Sequence, residues 1–123
     1  MSKTPEELTA LMLRKELYLI TTTPARAEGT QEMLPAHLEY QIKLEREGKL
    51  YGAGPFYKEG ESKPSGGLII LRAQSYEEAR SLADADPMHA NKLRTYTVQK
   101  WLLNEGAMTF TVRLSDQSVV VAD

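Results

Sequence analysis

The sequence predicts an α+β domain in which two helices cover one face of a four-stranded antiparallel sheet. Two observations support this prediction. Short apolar, β-branched segments alternate with helically periodic segments in the order β-α-β-β-α-β. In addition, each of the two central helices has recognisable start or stop signals in the sequence.

The chain begins with a predicted short helix over residues 4–15. Thr4 can cap this helix, Pro5 suits its first position, and Glu7 completes a capping box. The segment Leu17–Thr23 follows, and its apolar and β-branched composition predicts a strand that is buried on both faces for part of its length.

The second helix, predicted over Glu32–Glu47, carries one of the two histidines of the chain. At about 100° per residue its apolar positions define one broad arc, formed by Met33, Leu34, Leu38, Tyr40, Ile42 and Leu44. His37 falls inside this arc. Pro35 is expected in the first turn, and Gly48 is expected to end the helix.

Two strands are predicted next, over Leu50–Phe56 and Leu68–Arg72, with a polar loop between them. The first strand contains Gly52, Gly54 and Pro55. Glycine within a strand indicates either a bulge or the close approach of another group. A ligand-contacting strand and a bulge that curves the sheet are both open at this point.

A further helix starts at Ser75, which with Glu78 forms a second capping motif, and it is expected to continue to Asp86. Pro87 disfavours helical geometry at the residue before it. This places Asp86 at a helix C-terminus, where the macrodipole opposes negative charge. The last strand of the core is predicted over Arg94–Leu103.

The remainder of the chain predicts a hairpin of strands Met108–Leu114 and Val119–Ala122, with one covered and one wet face on its first strand. We therefore expect a single domain over residues 1–123, with a core at 16–106, an N-terminal helix at 4–15 and a C-terminal hairpin at 107–122. The core order is that of the ferredoxin-like split β-α-β fold.

Strands that are apolar on both sides need a cover on the face without helices, and a second copy of the sheet would provide it in a homodimer. The first helix and the hairpin could extend that interface or build a higher oligomer. Alternatively, they could cap the sheet of their own subunit.

Composition excludes several classes of function. The chain has no cysteine, so disulfides and thiolate chemistry are excluded. A net charge of −2 is unlike that of a nucleic-acid-binding surface. No apolar run reaches the roughly 18 residues of a membrane span, and the N-terminus lacks the pattern of a signal peptide. We expect a cytoplasmic protein that binds a small molecule, with no nucleic-acid or membrane partner.

Four segments in the same order resemble the YciI-like family, and together they cover about residues 16–106. They are Pro35-Ala36-His37-Leu38, the glycine-containing stretch from Gly48 to Pro55, Ala83-Asp84-Ala85-Asp86-Pro87-Met88, and the strand that ends at Trp101-Leu102-Leu103-Asn104-Glu105-Gly106. The resemblance implies a dimeric α+β barrel similar to that of muconolactone isomerase. It also implies an active site built on His37 and Asp86.

The activity of this family as a whole is not settled, although some relatives act as lyases or dehalogenases on breakdown products of chlorinated aromatic compounds. One departure concerns the expected rim of the pocket. Many members have a glycine a few residues after Asp-Pro, and here Lys92 stands in that region.

The candidate site residues each have a functional and a structural interpretation. His37 and Asp86 are the predicted catalytic residues, in which the carboxylate orients one ring nitrogen and the other acts as general base or acid. The alternatives are a core histidine and an Asp that accepts local backbone N–H groups. Gly54, Pro55 and His89 are predicted to contact the ligand. We expect no metal and no cofactor.

Three hypotheses follow from these residues. The first is a small cofactor-free enzyme that transfers protons on a small organic acid in an isomerase, lyase or dehalogenase reaction. The second is a non-catalytic dimeric module that binds a metabolite. The third assigns His37 to packing alone.

Overall fold

The computed structural model describes residues 2–122, which divide into two compact units. One unit is Lys15–Leu102, and the other combines the N-terminal segment up to Arg14 with the C-terminal segment from Leu103. The elements in chain order are α1 (Pro5–Ala10), β1 (Lys15–Pro24), α2 (Thr30–Arg46), β2 (Leu50–Phe56), β3 (Gly66–Leu71), α3 (Tyr76–Asp84), α4 (Pro87–Ala90), β4 (Arg94–Leu103), β5 (Thr109–Arg113) and β6 (Ser118–Ala122).

The larger unit contains the predicted four-stranded sheet, with the strand order β2-β3-β1-β4. Strand β3 pairs antiparallel with both β1 and β2. This order confirms the ferredoxin-like α+β prediction, since β3 lies between the two strands that α2 connects. The sheet of the chain is open and does not close into a barrel.

The helix-covered face of the sheet is built from rows of paired residues across β1, β3 and β2. Partners in an antiparallel ladder project their side chains to the same face. Three successive rows are Tyr18–Leu71–Leu50, Ile20–Ile69–Ala53 and Thr22–Gly67–Pro55. The first two rows pack against Leu44 of α2 and against Ala79 and Ala83 of α3. The third row is small, so the space between it and α2 is not filled by side chains of the sheet.

Helix α2 presents a narrower face to the core than the sequence predicted. Leu44 is 2% exposed and Gln41 is 9% exposed, whereas Leu38 and Ile42 are 50% and 47% exposed. The expectation that the whole apolar arc of α2 is buried is therefore wrong for about half of the arc. The half that contains His37 and Leu44 is covered, whereas Leu38 and Ile42 on the other half are about half-exposed. The helix also begins earlier, so Pro35 lies inside it rather than in its first turn.

The chain around Asp86 differs from the prediction in one respect that matters for the site. Helix α3 ends at Asp84, and Asp86 is the N-cap of α4, in which Pro87 occupies the first turn. The predicted position at a helix C-terminus is therefore wrong. The Asp86 side chain accepts a hydrogen bond from the backbone N–H of Met88, and a carboxylate is favourable at a helix N-terminus.

The smaller unit contains α1 and the two-stranded hairpin β5–β6. Thr4 and Glu7 form the predicted capping box, but the helix ends at Ala10 rather than near Lys15, and Arg14 adopts a left-handed φ of 52°. The prediction of one covered hairpin face is wrong, because every residue of β5 is exposed. None of the helices within residues 2–122 combines the length and the apolar character needed to span a bilayer.

A pair of substitutions on α2 tests the orientation of this helix. Replacing Leu44 with Ala should lower the free energy of unfolding by about 2–5 kcal/mol, because the cavity left behind is enclosed. Replacing the half-exposed Ile42 with Ala should cost less than about 1 kcal/mol. Urea unfolding followed by circular dichroism measures both values. Equal losses would show that α2 is rotated from the position described.

Candidate functional site

The two side chains that the sequence analysis paired, His37 of α2 and Asp86 before α4, lie within hydrogen-bonding distance. The His37 Nδ1 atom is 2.9 Å from each carboxylate oxygen of Asp86. Their side chains are 11% and 1% exposed, respectively. The pair is therefore shielded from bulk water, and His37 retains a small accessible area.

Three donors converge on the Asp86 carboxylate. Besides His37, the Nε2 amide of Gln41 donates to Oδ2 at 2.9 Å, and the backbone N–H of Met88 donates to Oδ1 at 2.9 Å. Burial by itself raises the pKa of Asp86, but the hydrogen bonds from His37 and Met88 and the nearby His37 and His89 side chains together lower it. Asp86 is therefore an anion at neutral pH.

The charge of Asp86 fixes the arrangement of protons on His37. A carboxylate only accepts hydrogen bonds, so Nδ1 must carry a proton. Nε2 is then the ring nitrogen that can accept a proton from another molecule. This arrangement of carboxylate, oriented imidazole and available Nε2 is suited to general base and general acid chemistry.

A hydrogen bond between helices helps to hold α2 in place. The Tyr40 hydroxyl donates to the carbonyl oxygen of Leu82 in α3 at 2.6 Å. Burial, together with the negative charges of Asp86 and Glu47, raises the pKa of Tyr40. Tyr40 thus remains a neutral donor, and it anchors α2 about one turn after His37.

His37 lines a cavity of about 450 Å³ between α2 and the sheet. This volume is within the range of small-molecule sites. The apolar part of the lining consists of Leu34, Leu38, Leu50, Ala53, Pro55, Pro64, Leu68 and Ile69. The polar side chains in the lining are Thr22, His37, Gln41 and Arg94. The cavity exists because the row Thr22–Gly67–Pro55 offers little side-chain volume below α2.

The predicted ligand-contacting residues have different positions. Gly54 and Pro55 line the cavity. The pairing of β2 with β3 also shifts register between Leu50 and Gly52, so the bulge and the approach to a cavity occur in the same strand. The two interpretations of the glycines are therefore compatible with each other.

His89 is not among the residues that line this cavity. Its Nδ1 lies 2.7 Å from the carbonyl oxygen of Ala83, and its ring packs against Tyr96 with centroids 4.8 Å apart. We therefore leave His89 out of the proposed site. Within residues 2–122, no group of three His, Asp or Glu side chains is arranged to hold a metal ion.

Lys92 also lies outside the lining of this cavity. It adopts a left-handed φ of 58° directly after α4, a conformation that glycine adopts without steric cost. The expectation that Lys92 alters the pocket rim is not supported by its position.

The sequence analysis did not identify three polar residues of the cavity, Thr22, Gln41 and Arg94. Gln41 follows His37 by four positions on the same helix, so spacing alone could have placed the two side by side. Thr22 continues the alternation of Tyr18 and Ile20 along β1. Arg94 had no comparable signal in the sequence, because the position of the first residue of β4 relative to α2 depends on the tertiary structure.

Comparison with known proteins adds three findings. The model of the YCII-related domain matches residues 15–102. The uncharacterized protein YjpA of Bacillus subtilis (strain 168) is 33% identical over 75 residues, which are 61% of this chain and 82% of YjpA. The solved structure of 5-chloro-2-hydroxyhydroquinone dehydrochlorinase (TftG) from Burkholderia phenoliruptrix AC1100, in complex with 2,5-dihydroxybenzoquinone, is similar with a TM-score of 0.57 and 27% identity. The similarity covers 69% of this chain and 92% of TftG.

The lowered pKa of Asp86 predicts a specific dependence of stability on pH. A depressed pKa in the folded state means that the charged carboxylate stabilises the fold above its unfolded pKa of about 4, and that this contribution is lost as pH falls through the lower folded value. Asp86→Asn should therefore be about 1–3 kcal/mol less stable than the wild type at pH 7, and the difference should shrink below pH 4.

Chemical unfolding at pH 7 and at pH 3 measures this difference. Glu39→Gln, which removes an exposed carboxylate from α2, is the control and should show a small difference at both pH values. A difference for Asp86→Asn that is the same at pH 7 and pH 3 would contradict the assignment of Asp86 as a stabilising anion.

Proposed function

Because the chain belongs to the YCII-related family, we propose that it is a small enzyme without a cofactor, in which His37 and Asp86 transfer protons on a small organic acid. The observation that carries this proposal is the hydrogen bond between a buried, ionised Asp86 and the Nδ1 atom of a histidine that lines a cavity. A buried carboxylate that orients an imidazole beside a ligand-sized space is a typical arrangement of a general base.

The proposed reaction uses His37 Nε2 as the base. Nε2 takes a proton from the substrate, and the electron pair of the broken bond forms a new double bond. In an isomerisation, the same nitrogen returns the proton to a different atom. In an elimination from a chlorinated, hydroxylated ring, the ring reacts as its keto tautomer, in which one hydroxyl proton has moved to the carbon that bears chlorine. Nε2 removes the proton of a second hydroxyl, chloride departs with the electron pair of its bond to carbon, and the imidazolium releases its proton to water. Neither reaction needs an electron acceptor or donor.

Elimination from a chlorinated, hydroxylated ring is the first reaction to consider. TftG is named as a dehydrochlorinase of 5-chloro-2-hydroxyhydroquinone, and it was solved with a ring-shaped ligand. In the present chain, the apolar walls of the cavity suit a ring of this kind. The half-buried Arg94 in the lining can pair with an anionic oxygen of an organic acid. We also propose a cytoplasmic location, on the basis of the sequence features described above.

Turnover of 5-chloro-2-hydroxyhydroquinone by the purified protein tests this proposal, with chloride release measured by ion chromatography. His37→Ala should lower the rate about 100-fold or more, because general base catalysis contributes roughly 10²–10⁴-fold. Asp86→Ala should act in the same direction, since it removes the group that orients His37.

His89→Gln is the matched control, because it changes the second histidine, which lies outside the cavity lining, and its rate should stay within a few-fold of the wild type. If His37→Ala kept more than a tenth of the rate, His37 would not be the base. Binding of this compound without chloride release would favour the non-catalytic binding module instead.

We further propose that the protein works as a homodimer. The sheet face directed away from the helices carries the half-buried apolar residues Leu19 and Ile70. Packing two such faces together would bury these residues in a two-fold interface, and it would produce the barrel that the family resemblance implies.

A charged substitution on this face tests the dimer. Ile70→Glu should convert a dimer into a monomer, because it would bury an unpaired carboxylate in an apolar interface. Light scattering coupled to size-exclusion chromatography measures the mass. Gln31→Glu, which adds the same charge on an exposed position of α2, should leave the mass unchanged. A wild-type mass of one chain would refute the proposed dimer.

A further inference from the structure

Two buried polar atoms beside the His37–Asp86 pair lack a hydrogen-bond partner. They are Oε1 of Gln41 and Oγ1 of Thr22. The two residues are only 9% and 2% exposed, respectively, and a buried polar group without a partner is unfavourable. Both residues line the same cavity as His37. A molecule in that cavity is therefore in a position to supply the missing partners.

The orientation of the Gln41 amide is fixed by its neighbour. The Asp86 carboxylate only accepts hydrogen bonds, so Gln41 must direct its NH₂ group toward Asp86, as the 2.9 Å contact from Nε2 to Oδ2 requires. The carbonyl oxygen is then the atom of the amide that remains without a partner. Since a carbonyl oxygen only accepts hydrogen bonds, the molecule that satisfies it must carry an O–H or N–H donor.

Thr22 lies on the floor of the cavity, where the opposing strand has no side chain. Its partner in the β1–β3 ladder is Gly67. A Cβ atom at that glycine would lie 3.4 Å from Thr22 Oγ1 and 3.2 Å from the Gly54 carbonyl oxygen, so a larger residue would crowd the hydroxyl. The glycine thus places no side chain against Thr22 Oγ1, and this hydroxyl can both donate and accept.

We propose that Gln41 and Thr22 recognise a hydroxylated ring, with Gln41 Oε1 accepting a hydrogen bond from a ligand hydroxyl and Thr22 Oγ1 bonding to a second ligand oxygen. This inference rests on the proposed function, since it names the substrate class of the same cavity. The apolar walls favour a ring, and the two polar residues select a ring with oxygen substituents over an equally large hydrocarbon.

Gln41 also connects recognition to chemistry. Its amide donates to Asp86 through Nε2, and in the proposal it accepts from the ligand through Oε1. Hydrogen bonds in such a chain polarise one another, so a bound hydroxyl strengthens the bond from Gln41 to Asp86. Gln41 is therefore a positioning residue for the carboxylate as well as a specificity residue for the ligand.

The test compares hydroquinone with p-xylene, which has nearly the same shape but carries methyl groups where hydroquinone has hydroxyls. Dissociation constants are measured under nitrogen by ligand-detected NMR. The wild type should bind hydroquinone at least about tenfold more tightly, because a site built to pair with hydroxyls rejects an analogue that lacks them. A purely apolar cavity would prefer p-xylene.

Three variants isolate the two residues. Thr22→Val and Gln41→Met keep the side-chain size, and each should reduce the hydroquinone preference to about threefold or less without weakening p-xylene binding. Thr22→Ser restores a hydroxyl and should restore the preference. Thr21→Val is the matched control, since this neighbour on β1 points to the opposite face of the sheet, and it should keep the full preference.

Several outcomes would overturn the inference. These are equal binding of the two compounds by the wild type, binding of neither compound, a preference that persists in both Thr22→Val and Gln41→Met, and a crystal structure with hydroquinone in which only water contacts Gln41 Oε1. The proposed catalysis fails separately. If the wild type prefers hydroquinone but releases no chloride in a His37-dependent way, the recognition by Gln41 and Thr22 stands and the proposed reaction fails. If chloride is released but hydroquinone is not preferred, the proposed reaction stands and the recognition fails.

Discussion

The buried negative charge of Asp86 is the constraint on which the arrangement of the site depends. A carboxylate that is 1% exposed is stable in the fold only if its oxygens are hydrogen-bonded. The three donors come from α2 and from the first turn of α4, so the charge ties together elements that are far apart in sequence. This requirement fixes the rotation of α2, because His37 and Gln41 must both face the carboxylate.

The cavity beside this pair has an equally simple physical origin. Along the helix-covered face of the sheet, the rows of side chains become smaller from Tyr18–Leu71 to Ile20–Ile69 and then to Thr22–Gly67. The larger rows hold α2 at a distance from the sheet, and the smallest row cannot fill the gap. The space beside the charged pair thus follows from one gradient of side-chain size across the sheet.

The order of strands and helices in the core could be predicted from the sequence because each element carries local signals. Alternation, capping residues and Gly48 after α2 depend on nearby residues alone. The width of the covered face of α2 could not be predicted in this way, because Leu38 and Ile42 are apolar and yet about half-exposed. Gln41 is the opposite case, a polar residue that is buried, because it pairs with a carboxylate 45 positions away.

The two residues that the family pattern paired lie within hydrogen-bonding distance, although the position expected for Asp86 was wrong. Asp86 was expected to be an unfavourable charge at the end of one helix, whereas it caps the start of the next. Two residues separate the end of α3 from the start of α4. Pro87 is compatible both with Asp86 at the end of α3 and with Asp86 as the cap of α4. Only the tertiary contacts of α4 with α2 decide between them.

The two histidines illustrate why chemistry at this site depends on the surroundings rather than on residue type. In both, Nδ1 is held by an oxygen, which is the Asp86 carboxylate for His37 and the Ala83 carbonyl for His89. A carboxylate can stabilise the positive charge that an imidazole gains when it accepts a proton, whereas a single carbonyl does so more weakly. Nε2 of His89 is buried without a partner, while His37 lines a cavity. Proton transfer to another molecule requires both an anionic support and access, and His37 combines the two.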